Sequence, residues 1–142
     1  MKNLIFLLTL ISFTFYGQEN VETTLIQNKM TQQENSWNEG NIKNFMMHYW
    51  KSDSLSFTGK NGIQNGWQIT LDNYLKSYPN KKQMGTLTFK NISIKKIDLN
   101  TITVLGEWNL SRKENIGDLS GYYSLIWQKK NNEWVIIADH SS

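Results

Sequence analysis

The chain has 142 residues, of which 39% are hydrophobic, 13% aromatic and 19% charged, a length that fits one domain with a sizeable core. The apolar fraction and the single Pro exclude a disordered or collagenous chain, and the absence of Cys excludes disulfides, thiolate catalysis and Cys-ligated metal sites. A net charge of only +3 is a weak electrostatic basis for nucleic-acid binding.

Met1-Lys2-Asn3 supplies a positive start, Leu4 to Tyr16 is an apolar run, and Gly17-Gln18 follows. The run is shorter than the roughly 20 residues of a membrane-spanning helix. It reads as a signal peptide over residues 1–17, cleaved near Gly17, which leaves one domain over 18–142 with net charge +2. No Cys follows the run to take a lipid, so the mature chain is expected without a stable membrane anchor, in the periplasm or outside the cell.

Residues 19–50 read as two helices. Val21, Leu25, Ile26, Met30 and Trp37 share the first face, Gly40 sits at the C′ position, and Asn41 caps the next helix. Ile42, Phe45, Met46, Tyr49 and Trp50 form the second stripe. His48 lies off that stripe and reads as a surface histidine. Leu55 to Thr58 is a short strand, and Gly59-Lys60-Asn61-Gly62 is dense in turn residues. Asp53 reads as the residue that ties the chain leading into this strand. A third helix begins near Gly66, with Trp67, Leu71, Tyr74, Leu75 and Tyr78 on one face, and Pro79 stops it.

From Met84 the period becomes two. Leu87 and Phe89 alternate, then Ile92 and Ile94 continue one residue out of phase, which predicts a bulge near Lys90-Asn91. Asp98 to Asn100 is a turn. Thr101 to Arg112 is a strand with Ile102, Val104, Trp108 and Leu110 on one side. Tyr122 to Lys129 and Trp134 to His140 are two more, joined by a turn at Asn131-Asn132. The order predicts an α+β fold: three N-terminal helices packed on a mostly antiparallel sheet of about four to six strands.

At this point the residues resemble a known family. Trp37-Asn38-Glu39-Gly40-Asn41 is similar to the helix–helix corner of SnoaL-like proteins, in the nuclear-transport-factor-two-like superfamily, or cystatin-like α+β cone. Tyr49 to Phe57 is similar to that family's segment leading into its first strand. Gly121 to Lys130 with Trp134 to Ser142 resembles its closing hairpin, and the group it comes nearest is a branch of exported bacterial proteins. The resemblance implies a strongly curved sheet wrapped round the first helix, a conical internal pocket, and frequently a homodimer through the sheet.

The resemblance also bears on chemistry. It places the general base of ketosteroid-isomerase-like members at about Thr58, between Phe57 and Gly59, where no residue can take a proton from carbon. The family's oxyanion pair of a Tyr and a neutral Asp has no clear counterpart. Any base such as Glu107 or Asp139 is expected to approach from the opposite wall. In SnoaL-like cyclases an acid late in the sheet does the acid–base work, and Asp139 lies in that region.

Three candidate catalytic groups remain, Glu107, Asp139 and His140. Strict alternation puts Trp134, Ile136, Ala138 and His140 on one face and Val135, Ile137, Asp139 and Ser141 on the other, so only one of Asp139 and His140 faces the pocket. Glu107 reads more readily as an exposed residue of the convex face. Two His without ligand spacing make a metal site improbable, and no cofactor is expected. The aromatics Trp37, Tyr49, Trp67, Tyr74 and Trp127 are the expected pocket wall, each able to bring a polar tip to an apolar surface. Lys81-Lys82, Lys95-Lys96 and Lys129-Lys130 read as solvated strand ends rather than a nucleic-acid track. The favoured function is binding of a small, largely apolar molecule without catalysis. The alternatives are a lyase-, isomerase- or hydrolase-type enzyme using an acid or His of the sheet, and a dimerising interaction module.

Overall fold

The computed structural model describes residues 12–113 and 115–142, with side chains from Val21 onward. Most of the proposed leader, residues 1–11, lies outside the described residues. Helix α1 (Ser12–Asn38) buries Glu22, Ile26, Met30, Gln33 and Trp37 along one stripe at helical spacing. Val21 and Leu25 do not share that stripe; both are exposed. Polar residues occupy two of the buried positions because each is satisfied there. Gln33 donates to the Phe45 carbonyl at 3.1 Å, and the Glu22 carboxylate takes Lys96 and Lys129.

The first helix ends in a Schellman motif. Gly40, at φ +82°, donates to Trp37 O, and Asn41 donates to Ser36 O. The Asn41 side chain then accepts from Asn44 N at 3.0 Å, capping α2 (Ile42–Phe45). The second helix is shorter than its apolar stripe suggests, because the chain tightens into a 3-10 turn over Met46–His48. With three residues per turn, His48 falls on the same face as Phe45. That is why His48 is buried rather than on the surface, with Nε2 3.0 Å from Gln32 Oε1.

The hairpin β1 (Ser56–Gly59) and β2 (Gly62–Asn65) follows. The turn before it is held by Ser52, not Asp53: Ser52 Oγ accepts from Ser54 N and Ser52 O accepts from Trp67 N. Helix α3 (Trp67–Ser77) comes next, then a four-residue helix α4 (Lys81–Met84) capped by Asn80. The helix α4 has no apolar repeat to announce it. Four long strands complete the chain: β3 (Thr86–Asp98), β4 (Thr101–Ser111), β5 (Leu119–Lys130) and β6 (Glu133–Ser141). Asn131 and Asn132, both at positive φ, make the tight turn between the last two.

One six-stranded sheet results, in the order β2-β1-β6-β5-β4-β3, antiparallel except where β1 runs parallel to β6. The phase slip in β3 is a bulge between Asn91 and Ser93. The outer edge of β3 is not left open. Leu87 N donates to Asn38 Oδ1 at 2.7 Å and Phe89 N to Glu34 Oε2 at 2.6 Å, so α1 occupies donors that could otherwise pair with another chain. Lys96 and Lys129 are not merely solvated strand ends, since through Glu22 they pin α1 to β3 and β5. Among the described residues, no helix is long and apolar enough to cross a membrane.

Candidate functional site

Between α1, α3 and the concave face of the sheet lies a cavity of about 610 Å³, within the range of small-molecule sites. Nine of its lining residues are aromatic: Trp37, Phe45, Tyr49, Phe57, Tyr74, Tyr78, Phe89, Trp108 and Tyr123. They brace one another edge to face. Trp37 stands 5.1 Å from Phe45 and 4.9 Å from Tyr78, and Tyr74 stands 5.4 Å from Phe45 and 5.7 Å from Phe57, centroid to centroid. Trp37 and Trp67 each satisfy an indole N–H on a backbone carbonyl, of Met84 and Met46 respectively.

Asp139 is the carboxylate in this lining, and it is only 4% exposed. A bulge puts it there. Leu125 pairs with Asp139 and Trp127 with Ile136, so β6 carries an extra residue at Ile137. Trp134 and Ile136 face inward before the bulge, and Asp139 and Ser141 face inward after it. The strict alternation expected from sequence is therefore broken. Asp139 and His140 still point to opposite faces, and His140 is the exposed one.

Tyr49 donates its O–H to Asp139 Oδ2 at 2.6 Å, and Ser141 donates to Asp139 Oδ1 at 2.7 Å. Burial pushes the Asp139 carboxyl up to about 6, against the pull of these two hydrogen bonds. Burial, with Asp139 close by, also raises Tyr49 and Tyr74 well above the usual phenol range, so both hydroxyls stay protonated. The ring of Tyr123 lies across Gly106, where an added Cβ would come within 2.2 Å of its hydroxyl, and that hydroxyl donates to Asn91 Oδ1 at 2.5 Å.

Trp37, Tyr49 and Tyr74 line this cavity; Trp67 and Trp127 do not. Trp67 opens α3 half-buried against the core, with the Lys51 ammonium 5.2 Å from its ring. Trp127 is fully buried beside His48 and registered with the equally buried Ile102 and Ile136, in packed core outside the cavity. Glu107 faces away from the cavity and pairs across the strands with Lys90 at 3.3 Å. Thr58 also points away, because Phe57 and Gly59 of the same strand line the cavity. Asp139 is not on the opposite wall from that position. It is the direct neighbour of Phe57 in the parallel β1–β6 pairing.

Phe57, Phe89 and Tyr123 are wall residues that pattern reading passed over. Phe57 and Phe89 each sit on the apolar side of an alternating run, a signal for an inward face that does not separate core from cavity. Among the described residues, no group of three or more His, Asp or Glu is placed to hold a metal ion.

The fold and cavity define a class: an α+β cone of helices closed over a curled sheet around an apolar, aromatic-walled interior. Within that class, the chain belongs to the NTF2-like (nuclear-transport-factor-two-like) family. It is 34% identical to an NTF2-like protein of unknown function from Shewanella oneidensis, over 82% of this chain and 95% of that one, with a TM-score of 0.78. An NTF2-like superfamily protein from Salmonella enterica serovar Typhimurium matches at 19% identity over 87% and 91% of the two chains, TM-score 0.67. A ketosteroid isomerase-like protein from Erwinia carotovora atroseptica matches at 12% identity over 85% and 95%, TM-score 0.65, a likeness of fold alone. No protein-family model matches the chain, and no curated protein matches it.

Proposed function

We propose that this protein binds a small, largely apolar molecule in the cone, with the molecule's polar group against Asp139, Tyr49 and Ser141. The observation that carries the reading is the cavity itself: about 610 Å³, walled by aromatic rings, with one buried carboxylate in its lining held by Tyr49 and Ser141. The family fits a ligand-binding cone, and the aromatic lining supports an apolar occupant. Binding without turnover accounts for these features. Acid–base catalysis by Asp139 is the second reading, favoured by a carboxyl held at about 6, where it can both give and take a proton near neutral pH.

The reading is tested by native mass spectrometry of the protein purified from its own host. A non-covalent small-molecule adduct that leaves on collisional activation supports it. Bare protein that also fails to take up the neutral apolar dye N-phenyl-1-naphthylamine would remove its basis. Turnover of the released compound, lost in Asp139→Asn, would favour the enzyme over the binder.

We also propose export through the leader at residues 1–17. Cleavage there would begin the mature chain within α1, upstream of Glu22 and its two lysine partners, so the anchored part of the helix is retained. N-terminal sequencing of protein from cell fractions is expected to start near Gln18; a species keeping Met1 would refute it.

A further inference from the structure

The buried charge in the cavity lining is acidic. Asp139 lies deep within the cavity, and Glu34 stands close behind Tyr123, held by the Phe89 N–H. The one lining residue of opposite charge is Lys60, exposed on the β1–β2 turn at the mouth. None of the ion pairs formed among the described residues includes Asp139. Its carboxylate accepts one hydrogen bond on each oxygen, from Tyr49 and Ser141, whereas a carboxylate can accept about four.

A carboxylate taken out of water without a cation is costly, and two unused acceptor positions facing a cavity make that cost recoverable by a ligand. The surroundings of Asp139 add to the selectivity. Phe57 pairs directly with it, Tyr49 binds it, and Tyr74 and Tyr123 are near enough to feel its charge. Four aromatic rings close to one carboxylate can stabilise a cation held there, while the buried Trp108 indole N–H, which has no hydrogen-bond partner, lines the same cavity. A carboxylate or phosphate ligand would meet the like charge of Asp139 inside the cavity, with Lys60 as the basic group only at its mouth.

We propose that the ligand's polar group is a protonated amine: a primary or secondary ammonium, carried on an apolar body, that donates N–H bonds to Asp139 and lies against the rings of Phe57, Tyr74 and Tyr123. The inference rests on the reading of the cavity as a small-molecule site and deepens it by naming the charge of the occupant. The elevated carboxyl of Asp139 agrees with it, since a group that burial drives toward neutrality is one that a bound cation would draw back to its ionised form.

The test is calorimetric titration of the full chain at pH 7.5 with matched amines, alcohols and carboxylates carrying cyclohexylmethyl, adamantyl and naphthylmethyl bodies. For at least one body, the amine is expected to bind at least about tenfold more tightly than the alcohol, equivalent to about 1.4 kcal/mol, with the carboxylate weakest. Asp139→Asn is expected to abolish the amine's advantage. Alcohols that bind as well as or better than their amines would overturn the amine assignment and leave the cavity reading intact. An amine preference that survives in Asp139→Asn would overturn it too, by placing the recognition elsewhere. Failure of every compound in every series to bind would overturn the cavity reading, and this inference with it.

Discussion

At the scale of single residues, Asp139 and His48 are buried groups that burial shifts in opposite chemical senses, the carboxyl to about 6 from 3.8 and the imidazole to about 4 from 6.5. Their effects on stability run against each other. Asp139 holds its proton more tightly folded than unfolded, so its contribution is complete below about pH 4 and is lost as pH rises to about 6, a change of about 3 kcal/mol. His48 holds its proton less tightly folded, so its contribution is complete above pH 6.5 and is lost as pH falls to about 4, by less than the Asp139 change because solvent screens the imidazole. Urea unfolding between pH 4 and 8 should resolve the two. The stability of wild type relative to Asp139→Asn should fall with pH across 4–6, and relative to His48→Asn it should rise across 4–6.5. Parallel curves in either case would mean that the residue is not shifted by burial. Tyr49→Phe removes a hydrogen bond to the carboxylate, so it should drive Asp139 above about 6, as read by a carboxyl-carbon NMR titration. An unchanged or lower value would mean that the Tyr49 hydroxyl does not hold the charged form.

At the scale of elements, two local devices shape the cavity: the bulge in β6 that turns Asp139 inward and the bare Cα of Gly106 in β4. The ring of Tyr123 reaches Asn91 on β3 only by crossing Gly106, and a methyl there would collide with it. Gly106→Ala should therefore cost about 1–3 kcal/mol by overpacking and tilt Tyr123 out of the wall. Denaturant unfolding measures the first effect, and loss of uptake of a cavity-bound dye the second. A variant with wild-type stability would show that the strands give way instead. On α3, Tyr74→Ala enlarges a half-buried wall position rather than a closed core, so it should change dye uptake more than stability. A loss of the roughly 3–5 kcal/mol typical of a core aromatic would place Tyr74 in the core.

At the scale of the whole molecule, the outward face of the sheet carries Leu105, Tyr122 and Ile126 on neighbouring strands, all exposed. Together with His140 beside Ser124, they form a surface that a second copy of the chain could cover, and we propose a homodimer through it. Light scattering after size exclusion should give twice the chain mass, falling to the monomer for Leu105→Glu with Ile126→Glu. A monomer at all concentrations in the wild type would reject the interface. We also propose that the protein lacks steroid-isomerase chemistry, a property of the assembled molecule. Phe57, not Thr58, is the first-strand residue facing the cavity, and it is no base. Wild type should leave a β,γ-unsaturated ketosteroid essentially unconverted, whereas turnover at ordinary enzymatic rates would point to Asp139 acting from the neighbouring strand.

Much of this was legible in the sequence, where the information is local. The Gly40 and Asn41 corner, the alternation that predicts each long strand, the bulge after Lys90 and the Asn131-Asn132 turn all follow from backbone preference and period. Together they determine an α+β cone with one inward face. Which inward residues line space and which are packed was decided only by tertiary structure. Trp127 and Tyr123 lie on the same strand and the same face, yet one is sealed into packed core and the other borders the cavity. No local signal separates them, because the difference lies in what other elements pack against each: Trp127 meets His48 of the 3-10 turn, and Tyr123 meets the cavity. The same holds for His48, turned inward by a tightened helix, and for Asp139, turned inward by one extra residue in β6. A shift of a single residue exchanges the two faces of a strand, so a carboxylate's place in solvent or in a cavity is set by the pairing of β5 with β6 and not by its own neighbours in sequence.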